Sequence, residues 1–594
     1  DEIEPQMDIR QDLAIRSSRL PVIMDDVERQ FEITVNVEDF IDLRTVQEIA
    51  DCIEGLATQS ETKPSTLPAP DSPPQTDPMN VTDESTGNIR QEESIKRLVL
   101  EEVGLPPVAT KPLTLVPDQT VAVLRMSPQS VLAADVSRHL ESRFEARLLE
   151  LDCLGKEKNG MYDLRTAQGA QNAAQILKEA HSLAGLVLVM EGGEPESVLS
   201  GAEDITAFMT GFFSCLKSLM GSKNKVFCLS LFKGFQDHTP EAVAGEGILG
   251  MFLGAAHEYA SVLFRSVTID DRTDFERALD RALDKENSLI QLIYHDQEAF
   301  SINASQVPLS PTSESGLEIG AGDVVVISGG AKGVTNRIVR TLAPFKPRIV
   351  LLGRTELDPD RAYGTLRDRR GSTGNTMPRL SNKKRPVVKG QEPEDGASNN
   401  QSELDIARSV SRLAAMGLKV SYYCCDVADP QKVTQTLSQV EKEFDRIDGI
   451  IHGAGIIKDG FMEFMTPEDF ERVVAVKLQG AWNLYNAARD RGLRFFAALS
   501  SLVAIQGNVG QVNYCAANRS LSALLRSWAT SQKGLVAKAL MLPPIKGTGM
   551  ADSPEVKELM KLKGLSSAFV HADDLAQLFC RELFLGPHQQ SWVA

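Results

Sequence analysis

Four polar side chains in the last part of the chain have types and spacings suited to acid–base chemistry on a carbonyl group. Residues 501–518 read SLVAIQGNVGQVNYCAAN, with Tyr514 thirteen residues after Ser501 and Asn518 four residues after Tyr514. Side chains four residues apart share one face of a helix, and Ser501 ends a predicted strand, so all three can reach one carbonyl group. Lys477 precedes Tyr514 by thirty-seven residues, and an ammonium group favours the ionised form of a nearby phenol, whose ordinary pKa is about 10. Each residue alone is equally consistent with an ordinary surface or turn position.

A glycine-rich turn precedes these residues and predicts a dinucleotide site. After the apolar strand 324–327 the chain reads SGGAKGVT, and a helical pattern, NRIVRTLA, follows at once. Glycines allow the backbone to approach a diphosphate, and the N-terminus of the helix supplies N–H groups and the positive end of its dipole. A purely structural strand-to-helix turn would also explain three glycines taken alone. The predicted contacts from this turn are Ser328, Gly329, Gly330, Lys332, Gly333 and Val334.

The end of the next strand indicates which dinucleotide would bind. Arg354 lies twenty-one residues past Gly333, and Thr355 follows it. An acidic residue here would bind the 2′-hydroxyl of NAD, whereas arginine and threonine suit a 2′-phosphate, so NADPH is preferred over NADH. The remaining predicted cofactor contacts follow later strands: Asp426, Val427, Gly453, Ala454, Gly455 and Pro543.

The elements that must position these residues follow an alternating strand–helix pattern. Short apolar runs such as TVAVLRM and AGLVLVM alternate with helical stretches from about residue 105 to residue 312, and the pattern restarts at DVVVISGG. This predicts an α/β protein with two Rossmann-like units, each a parallel sheet covered by helices on both faces. We place the units at 105–312 and 313–594, with a surface insertion at about 356–402. We interpret its basic cluster at 383–385 as part of a solvated loop, with a binding patch as the alternative.

The composition excludes several functional classes. A length of 594 residues suggests about four domains, and a net charge of -18 disfavours a nucleic-acid-binding protein. Eight cysteines, with an adjacent Cys424–Cys425 pair and no CxxC, indicate neither a disulfide framework nor a zinc site, which favours a reducing cytoplasm and no bound metal. The apolar stretch 245–264 carries two acidic residues and a histidine, so we expect a buried helix and no membrane span. The chain begins at Asp1 without a signal peptide, and we expect a piece of a longer protein.

The amino-terminal part differs from the rest. Residues 1–57 show a helical pattern. Apolar residues recur at three- and four-residue steps, first at Leu20, Ile23, Met24 and Val27 and later at Val46, Ile49 and Ile53. Residues 58–104 are rich in Pro, Ser, Thr and acidic residues early on, which is typical of a semi-extended linker. The two segments together predict a small tethered helical unit.

The residues around the lysine and the tyrosine, AVKLQGAWNL and NYCAAN, resemble those of short-chain dehydrogenases/reductases. The resemblance is specifically to the ketoreductase region of type I polyketide and polyunsaturated fatty acid synthases, and it covers about residues 105–594. It implies that Tyr514 donates a proton to the 3-keto oxygen and that Ser501 hydrogen-bonds the same oxygen. It also implies that Lys477 lowers the tyrosine pKa and holds the nicotinamide ribose, that Asn518 supports the proton relay, and that NADPH supplies the hydride.

The chain departs from the family pattern at several positions. Thr335 replaces the last glycine of the usual TGxxxGxG motif and Ser328 its first threonine, although GGAKGVT resembles the variant of polyunsaturated fatty acid synthases. Asp459, eighteen residues before Lys477, matches an aspartate that accompanies D-configured 3-hydroxy products, within IKD instead of the usual LDD. Gln506 stands where the class of opposite configuration often has tryptophan.

The first α/β unit lacks both signatures of the second. No glycine loop follows its opening strand, VLRMSP, and it contains no YxxxN. It resembles the truncated, non-catalytic subdomain that supports such ketoreductases, so a supporting role is predicted.

Residues 1–57 resemble an acyl carrier protein without its first helix. Aligning DLAIRSSRL with the family's DLGxDS motif puts Ser17 at the position that carries 4′-phosphopantetheine, although Arg16 replaces the usual aspartate and Ser18 is a competitor. A serine that merely caps a helix is the alternative. A similar string at 93–97 lies outside any carrier-sized bundle.

These observations predict a fragment of a multifunctional synthase. A carrier domain bearing a 3-oxoacyl thioester would deliver it to an NADPH-dependent ketoreductase, and other domains of the same synthase would be its partners. A flexible tether raises the effective concentration of the carrier at the reductase. Two alternatives are a reductase-like scaffold that binds cofactor without turnover and a free-standing short-chain dehydrogenase.

Overall fold

The computed structural model describes residues 45–48, 50–51 and 97–593, except 109–110, 112, 117, 155–160, 193–197, 235–238, 308–315, 358–378, 381–395, 547–569 and 587–591. The chain divides into two compact units, Asp1–Lys96 and Arg97–Ala594. In the first unit, the described residues at 46–48 and 50–51 are helical, as their apolar spacing predicts. Ser17 and the rest of the carrier-like segment lie outside the described residues.

The first half of the second unit has the predicted strand–helix alternation. Its parallel strands are β2 (Thr120–Arg125), β3 (Arg147–Asp152), β4 (Leu183–Glu191), β5 (Phe227–Lys233), β6 (Leu263–Ile269) and β7 (Gln291–His295), in the spatial order β3-β2-β4-β5-β6-β7. The helices are α1 (Val131–Phe144), α2 (Ala167–Glu179), α3 (Ala202–Met220), α4 (Pro240–Ala256) and α5 (Phe275–Ala282). Helix α4 begins where Thr239 Oγ1 accepts the Ala242 N–H at 3.2 Å. It is largely buried, as its apolar sequence predicts.

The second half repeats this plan. Its parallel strands are β9 (Val324–Ser328), β10 (Arg348–Gly353), β12 (Lys419–Cys424), β13 (Gly449–His452), β14 (Phe495–Ser501) and β15 (Val536–Leu542), in the order β12-β10-β9-β13-β14-β15. The helices are α6 (Gly333–Thr341), α7 (Gly396–Ala415), α8 (Pro430–Phe444), α9 (Pro467–Val474), α10 (Gly480–Ala488), α11 (Val503–Gln506), α12 (Val512–Ser531) and α13 (Ala572–Leu585). The second half thus has the Rossmann strand order 3-2-1-4-5-6, whereas the first half has the related doubly wound order 2-1-3-4-5-6. In both orders the ligand-binding edge lies at the carboxyl ends of the parallel strands.

The parallel strands of the two halves are joined through short antiparallel ladders. Strand β18 (Trp592–Val593) pairs with β15 and also, antiparallel, with β1 (Leu98–Gly104). Strand β8 (Glu298–Gln306) pairs antiparallel with both β1 and β7, so one sixteen-stranded sheet runs through both halves. The predicted linker at 58–104 therefore ends too late, because LVLEEVG forms a ladder that satisfies its backbone groups.

Short strands complete the second half. Residues Arg379–Leu380 form strand β11 beside β12, and α7 begins at Gly396, so the predicted insertion at 356–402 contains paired and helical backbone. Strands β16 (Ile545–Lys546) and β17 (Val570–His571) form a separate parallel pair. Among the described helices, none has the length and apolar character needed to cross a bilayer.

The two halves share one hydrophobic core. Phe213 of α3 stacks on Phe470 of α9, with ring centroids 4.6 Å apart. Helix α4 lies directly against α12, and a Cβ added at Gly250 would be 2.7 Å from the Cys515 carbonyl oxygen. Only glycine permits this approach, which places the first half against the helix of the second half that carries Tyr514.

Candidate active site

The glycine turn after β9 forms an open cradle. Gly329 has a φ of +70°, and a Cβ added to it would lie 2.9 Å from the Gly453 carbonyl oxygen. Gly333 has a φ of +61°, and a Cβ added there would meet no described atom within 4 Å. Helix α6 begins at Gly333, and no side chain of the described residues caps its N-terminus. The turn therefore offers N–H groups and free space at a positive dipole end, which fits the diphosphate of a dinucleotide.

The replacement of the last motif glycine by Thr335 is matched by a glycine elsewhere. Thr335 is buried, and a Cβ added at Gly453 would lie 2.3 Å from its Oγ1 and 3.0 Å from its Cβ. The Thr335 side chain thus fills the space beside the helix that the motif glycine would leave empty. Gly453 on the facing loop, which has no side chain, leaves room for it. This pairing of distant residues has no local sequence signal.

A buried hydrogen-bond chain links the glycine turn to the lysine. His452 Nε2 lies 3.1 Å from the Lys477 carbonyl oxygen, and its Nδ1 lies 2.7 Å from Ser328 Oγ. Because a carbonyl can only accept, Nε2 carries the hydrogen and Nδ1 accepts from the Ser328 hydroxyl. Burial, helped by Lys477, lowers the pKa of His452 to about 3, so the imidazole is neutral. Ser328 Oγ also accepts the Ala454 N–H at 3.3 Å, and its carbonyl oxygen accepts the Gly453 N–H at 3.0 Å, so Ser328 holds the glycine turn against the 453–455 loop.

Lys477 lies in a single π-helical turn, Ala475–Gln479, between α9 and α10. Such a turn shifts the register of the side chains that follow it and is often found at functional sites. The Nζ donates to the Leu499 carbonyl oxygen at 2.6 Å and lies 6.0 Å from the centroid of the Tyr514 ring. A Cβ added at Gly455 would lie 3.0 Å from the lysine Cε. Burial lowers the pKa of the ammonium to about 8.

Tyr514 and Asn518 share one face of α12, as predicted. Burial raises the pKa of Tyr514 to about 12, opposed by a hydrogen bond from Asn518. The pKa of Tyr514 thus lies above its ordinary value, with burial as the largest cause, and a lowering by Lys477 stays a prediction. Asn518 is buried, and its Nδ2 donates to the Tyr514 carbonyl oxygen at 2.8 Å. Its Oδ1 has no hydrogen-bond partner among the described residues, so an acceptor remains available beside the tyrosine.

The two serines at the end of β14 have different surroundings. Ser500 is buried, and its hydroxyl bonds the Asn518 carbonyl oxygen at 3.1 Å and Ser522 Oγ at 2.9 Å. Ser501 is half-buried, and its Oγ accepts only a long contact of 3.5 Å from the Val503 N–H among the described atoms. Ser501 is accordingly the serine whose hydroxyl can bond a substrate.

The predicted adenosine contacts lie at the carboxyl ends of β10 and β12. Arg354 is exposed, and the carbonyl of Thr355 accepts the Tyr422 hydroxyl at 2.8 Å. Asp426 Oδ1 accepts the Ala428 N–H at 3.1 Å. Val427 is buried and faces Gly480, where an added Cβ would lie 2.9 Å from the valine Cγ2. The remaining predicted contacts, Gly330, Lys332, Val334 and Pro543, lie in the turn, in the first turn of α6 and after β15.

The chain matches a known family over its second half. Residues 323–547 match the family model described as KR domain, which includes the glycine cradle, Lys477, Ser501, Tyr514 and Asn518.

Relatives are similar over limited lengths. One subunit of the polyunsaturated fatty acid synthase of Thraustochytrium sp. is 28% identical over 261 residues, 42% of this chain and 9% of that protein. The putative inactive phenolphthiocerol synthesis polyketide synthase type I Pks1 of Mycobacterium tuberculosis is 39% identical over 124 residues, 20% of this chain and 8% of that protein. The chain thus spans less than a tenth of the length of these relatives.

The fold has solved counterparts. The crystal structure of an N-terminal ketoreductase from the macrolactin assembly line superposes with a TM-score of 0.58 at 15% identity and covers 84% of this chain and 91% of its own. This similarity of fold includes the first half, which we predict to be non-catalytic and which lies outside the matched residues 323–547.

Proposed function

Because residues 323–547 match the family model described as KR domain, we propose that this chain is a piece of a multifunctional polyketide or fatty acid synthase that reduces a carrier-bound 3-oxoacyl thioester to the 3-hydroxyacyl thioester. The observation that carries the proposal is the convergence of Lys477 and Tyr514, with Nζ 6.0 Å from the tyrosine ring, beside an open glycine cradle. The synthase part of the proposal is supported by the relatives, which are synthases by name. The reduction is supported by the arrangement of the site residues.

The cofactor proposed for the cradle is NADPH. When bound, it supplies a hydride to the carbonyl carbon. The turn at 329–333 would hold the diphosphate, and the exposed Arg354 guanidinium would pair with the 2′-phosphate, for which its fixed charge and planar donors are suited.

Tyr514 acts as the acid. A pKa of about 12 keeps its phenol protonated at neutral pH, so the proton is available when negative charge develops on the carbonyl oxygen. The Ser501 hydroxyl donates to the same oxygen and holds it in front of the tyrosine. The Lys477 ammonium stabilises the phenolate that remains, and Asn518 Oδ1 provides an acceptor through which a proton can return.

The carrier-like segment is the proposed source of substrate. Ser17 would carry 4′-phosphopantetheine, and the acyl thioester on that arm would reach the cleft at the carboxyl ends of β13 and β14. A matching carrier domain elsewhere in the same synthase would serve equally.

The test is NADPH consumption with a soluble 3-oxoacyl thioester, comparing Ser501→Ala with Ser500→Ala. We expect the loss of the Ser501 hydroxyl to lower kcat/KM by about tenfold to a hundredfold, since one oxyanion-type hydrogen bond is lost. Ser500→Ala keeps the site hydroxyl and serves as the matched control. Saturable NADPH binding without turnover on any thioester would favour a cofactor-binding scaffold, in keeping with the name of the mycobacterial relative, a putative inactive synthase.

A further inference from the structure

The C-terminal end of helix α4, in the non-catalytic half, reaches two loops of the catalytic half. Glu258 lies two residues past the end of α4 and is 6% exposed. Its Oε2 accepts the Met462 N–H at 2.7 Å, and its Oε1 accepts the Gly510 N–H at 2.9 Å. Each carboxylate oxygen therefore holds a different loop, which we call the 458–462 loop and the 506–511 loop.

These two loops are also bonded to each other. The Gly460 N–H donates to the Gly510 carbonyl oxygen at 2.9 Å, and Gln511 Nε2 donates to Asp459 Oδ2 at 2.8 Å. Asn513 Nδ2, just past the second loop, donates to the Lys458 carbonyl oxygen at 2.8 Å. The 506–511 loop leads directly into α12, and Tyr514 is the third residue of that helix. The separation of the loops is thus fixed where they flank the tyrosine.

Two further contacts seat the 506–511 loop on α4. His257 Nε2 lies 2.8 Å from the Gln506 carbonyl oxygen, and as a carbonyl only accepts, the imidazole donates. Gly507 has a φ of +70°, and a Cβ added there would lie 2.2 Å from the Leu253 carbonyl oxygen. The loop backbone is therefore in direct contact with the helix, and only glycine is compatible with this position.

The side chains that these loops present are exposed at the rim of the cleft. Asp459 and Gln506 are both exposed, one on each loop. Asp459 is near enough to Tyr514 to help raise the pKa of its phenol, after the larger effect of burial, so the first loop borders the site of proton transfer. A change in the spacing of the loops would therefore alter the space beside the Tyr514 hydroxyl. A buried carboxylate that bridges two backbone N–H groups is a strong device for fixing such a spacing.

We propose that Glu258 and His257 are positioning residues, contributed by the non-catalytic half, that hold the two loops at the spacing which sets substrate affinity and product configuration. The inference rests on the ketoreduction proposed above. It assigns to the non-catalytic half a part in selecting the substrate orientation, in addition to support.

The test compares Glu258→Gln with Glu246→Gln, which makes the same chemical change within α4, twelve residues earlier in the chain. Glu246 also contacts the catalytic half, through Arg519 at 2.6 Å and Arg526 at 3.5 Å, but it bonds neither loop. Glu258→Gln replaces one acceptor by a donor that faces a backbone N–H. In Glu258→Gln we expect the KM for the thioester to be about tenfold higher, with a smaller change in kcat. We also expect the fraction of the minor 3-hydroxy enantiomer in the product to rise about tenfold. Glu246→Gln leaves the enantiomer ratio unchanged.

Two further arms keep the outcome decisive. His257→Ala changes an exposed residue and so leaves the core intact, and it shifts KM and the enantiomer ratio in the same direction by a smaller factor. Amide hydrogen exchange of 458–462 and 506–511 becomes faster in Glu258→Gln but not in Glu246→Gln. If the parent protein shows no turnover, the proposed function fails. The hydrogen-exchange comparison still decides whether Glu258 holds the two loops together. Unchanged exchange, or an unchanged enantiomer ratio and KM in an active Glu258→Gln protein, would overturn the inference.

Discussion

The lysine in the site gives the reaction a pH dependence that an ordinary lysine would not. Burial lowers the pKa of Lys477 from 10.5 to about 8. With that value the ammonium fraction falls from about nine-tenths at pH 7 to about one-tenth at pH 9, so kcat/KM for reduction should fall about tenfold. A lysine of ordinary pKa would lose only about 3% of its charge over the same range.

Two neighbouring groups, His452 and Tyr514, do not titrate in this window. His452 has a pKa of about 3 and Tyr514 one of about 12. Burial raises the pKa of Glu258 to about 7. Its ionisation should therefore raise kcat/KM as the pH increases towards 8, where it is largely complete, and it does not cause the fall above pH 8. Unfolding is not the cause of the fall either. Because folding lowers the lysine pKa, the unfolded chain binds more protons between about pH 8 and 10.5, and this group makes the protein more stable as pH rises.

The assay is kcat/KM for NADPH at fixed thioester from pH 6.5 to 9.5, which reports groups of the free enzyme. Lys477→Arg is the control, since a guanidinium stays charged throughout and whatever activity remains should show no alkaline fall. A parent profile that stays flat to pH 9, or an identical fall in Lys477→Arg, would refute the role given to the buried ammonium.

Three further predictions follow from single contacts. Arg354→Ala should raise the KM for NADPH about tenfold to a hundredfold and leave the KM for NADH nearly unchanged, because a charge-assisted contact to the 2′-phosphate is lost. Steady-state kinetics with both cofactors checks this, and an equal rise in both KM values would count against it. Gly453→Ala should destabilise the fold by about 1–3 kcal/mol through its clash with Thr335, and Thr335→Gly should restore stability in the double variant, as a double-mutant cycle of thermal unfolding would show. Ser17→Ala should abolish the mass gain produced by a phosphopantetheinyl transferase, whereas Ser18→Ala should not; modification that persists in Ser17→Ala would move the attachment site.

Most of the elements near the site could be predicted, because their signals are local. Strands such as β9 and β13 are short apolar runs, and the glycine turn, Tyr514 and Asn518 follow fixed spacings along the chain. The strand order confirms the α/β assignment of both halves, and the KR match agrees with it for the second half.

What the sequence did not reveal depends on distant contacts. Strand β18 has two residues, too few to carry a periodic signal, yet it joins the two halves by pairing with β1 and β15. The π-helical turn at Lys477 changes hydrogen-bond spacing without a compositional marker. The direction of the Tyr514 pKa could not be predicted either, because burial is a property of the packed protein.

His452 and Glu258 lie in runs that are apolar or glycine-rich and are typical of core. Their functions follow from partners that are distant in sequence, such as Ser328 and Gly510. For His452, the sequence offers one signal, a histidine that ends a predicted strand directly before a glycine-rich turn.

The central claim is that Tyr514 protonates the carbonyl oxygen, and Tyr514→Phe tests it most directly. Phenylalanine keeps the ring and removes only the hydroxyl, and Tyr485→Phe is the control because Tyr485 is a buried tyrosine of the same half that stacks on Trp528 at 4.1 Å. With NADPH and a 3-oxoacyl thioester, we predict that kcat falls at least about a hundredfold in Tyr514→Phe, while NADPH affinity and the activity of Tyr485→Phe are retained. Turnover that survives in Tyr514→Phe at the parent rate would contradict the assignment.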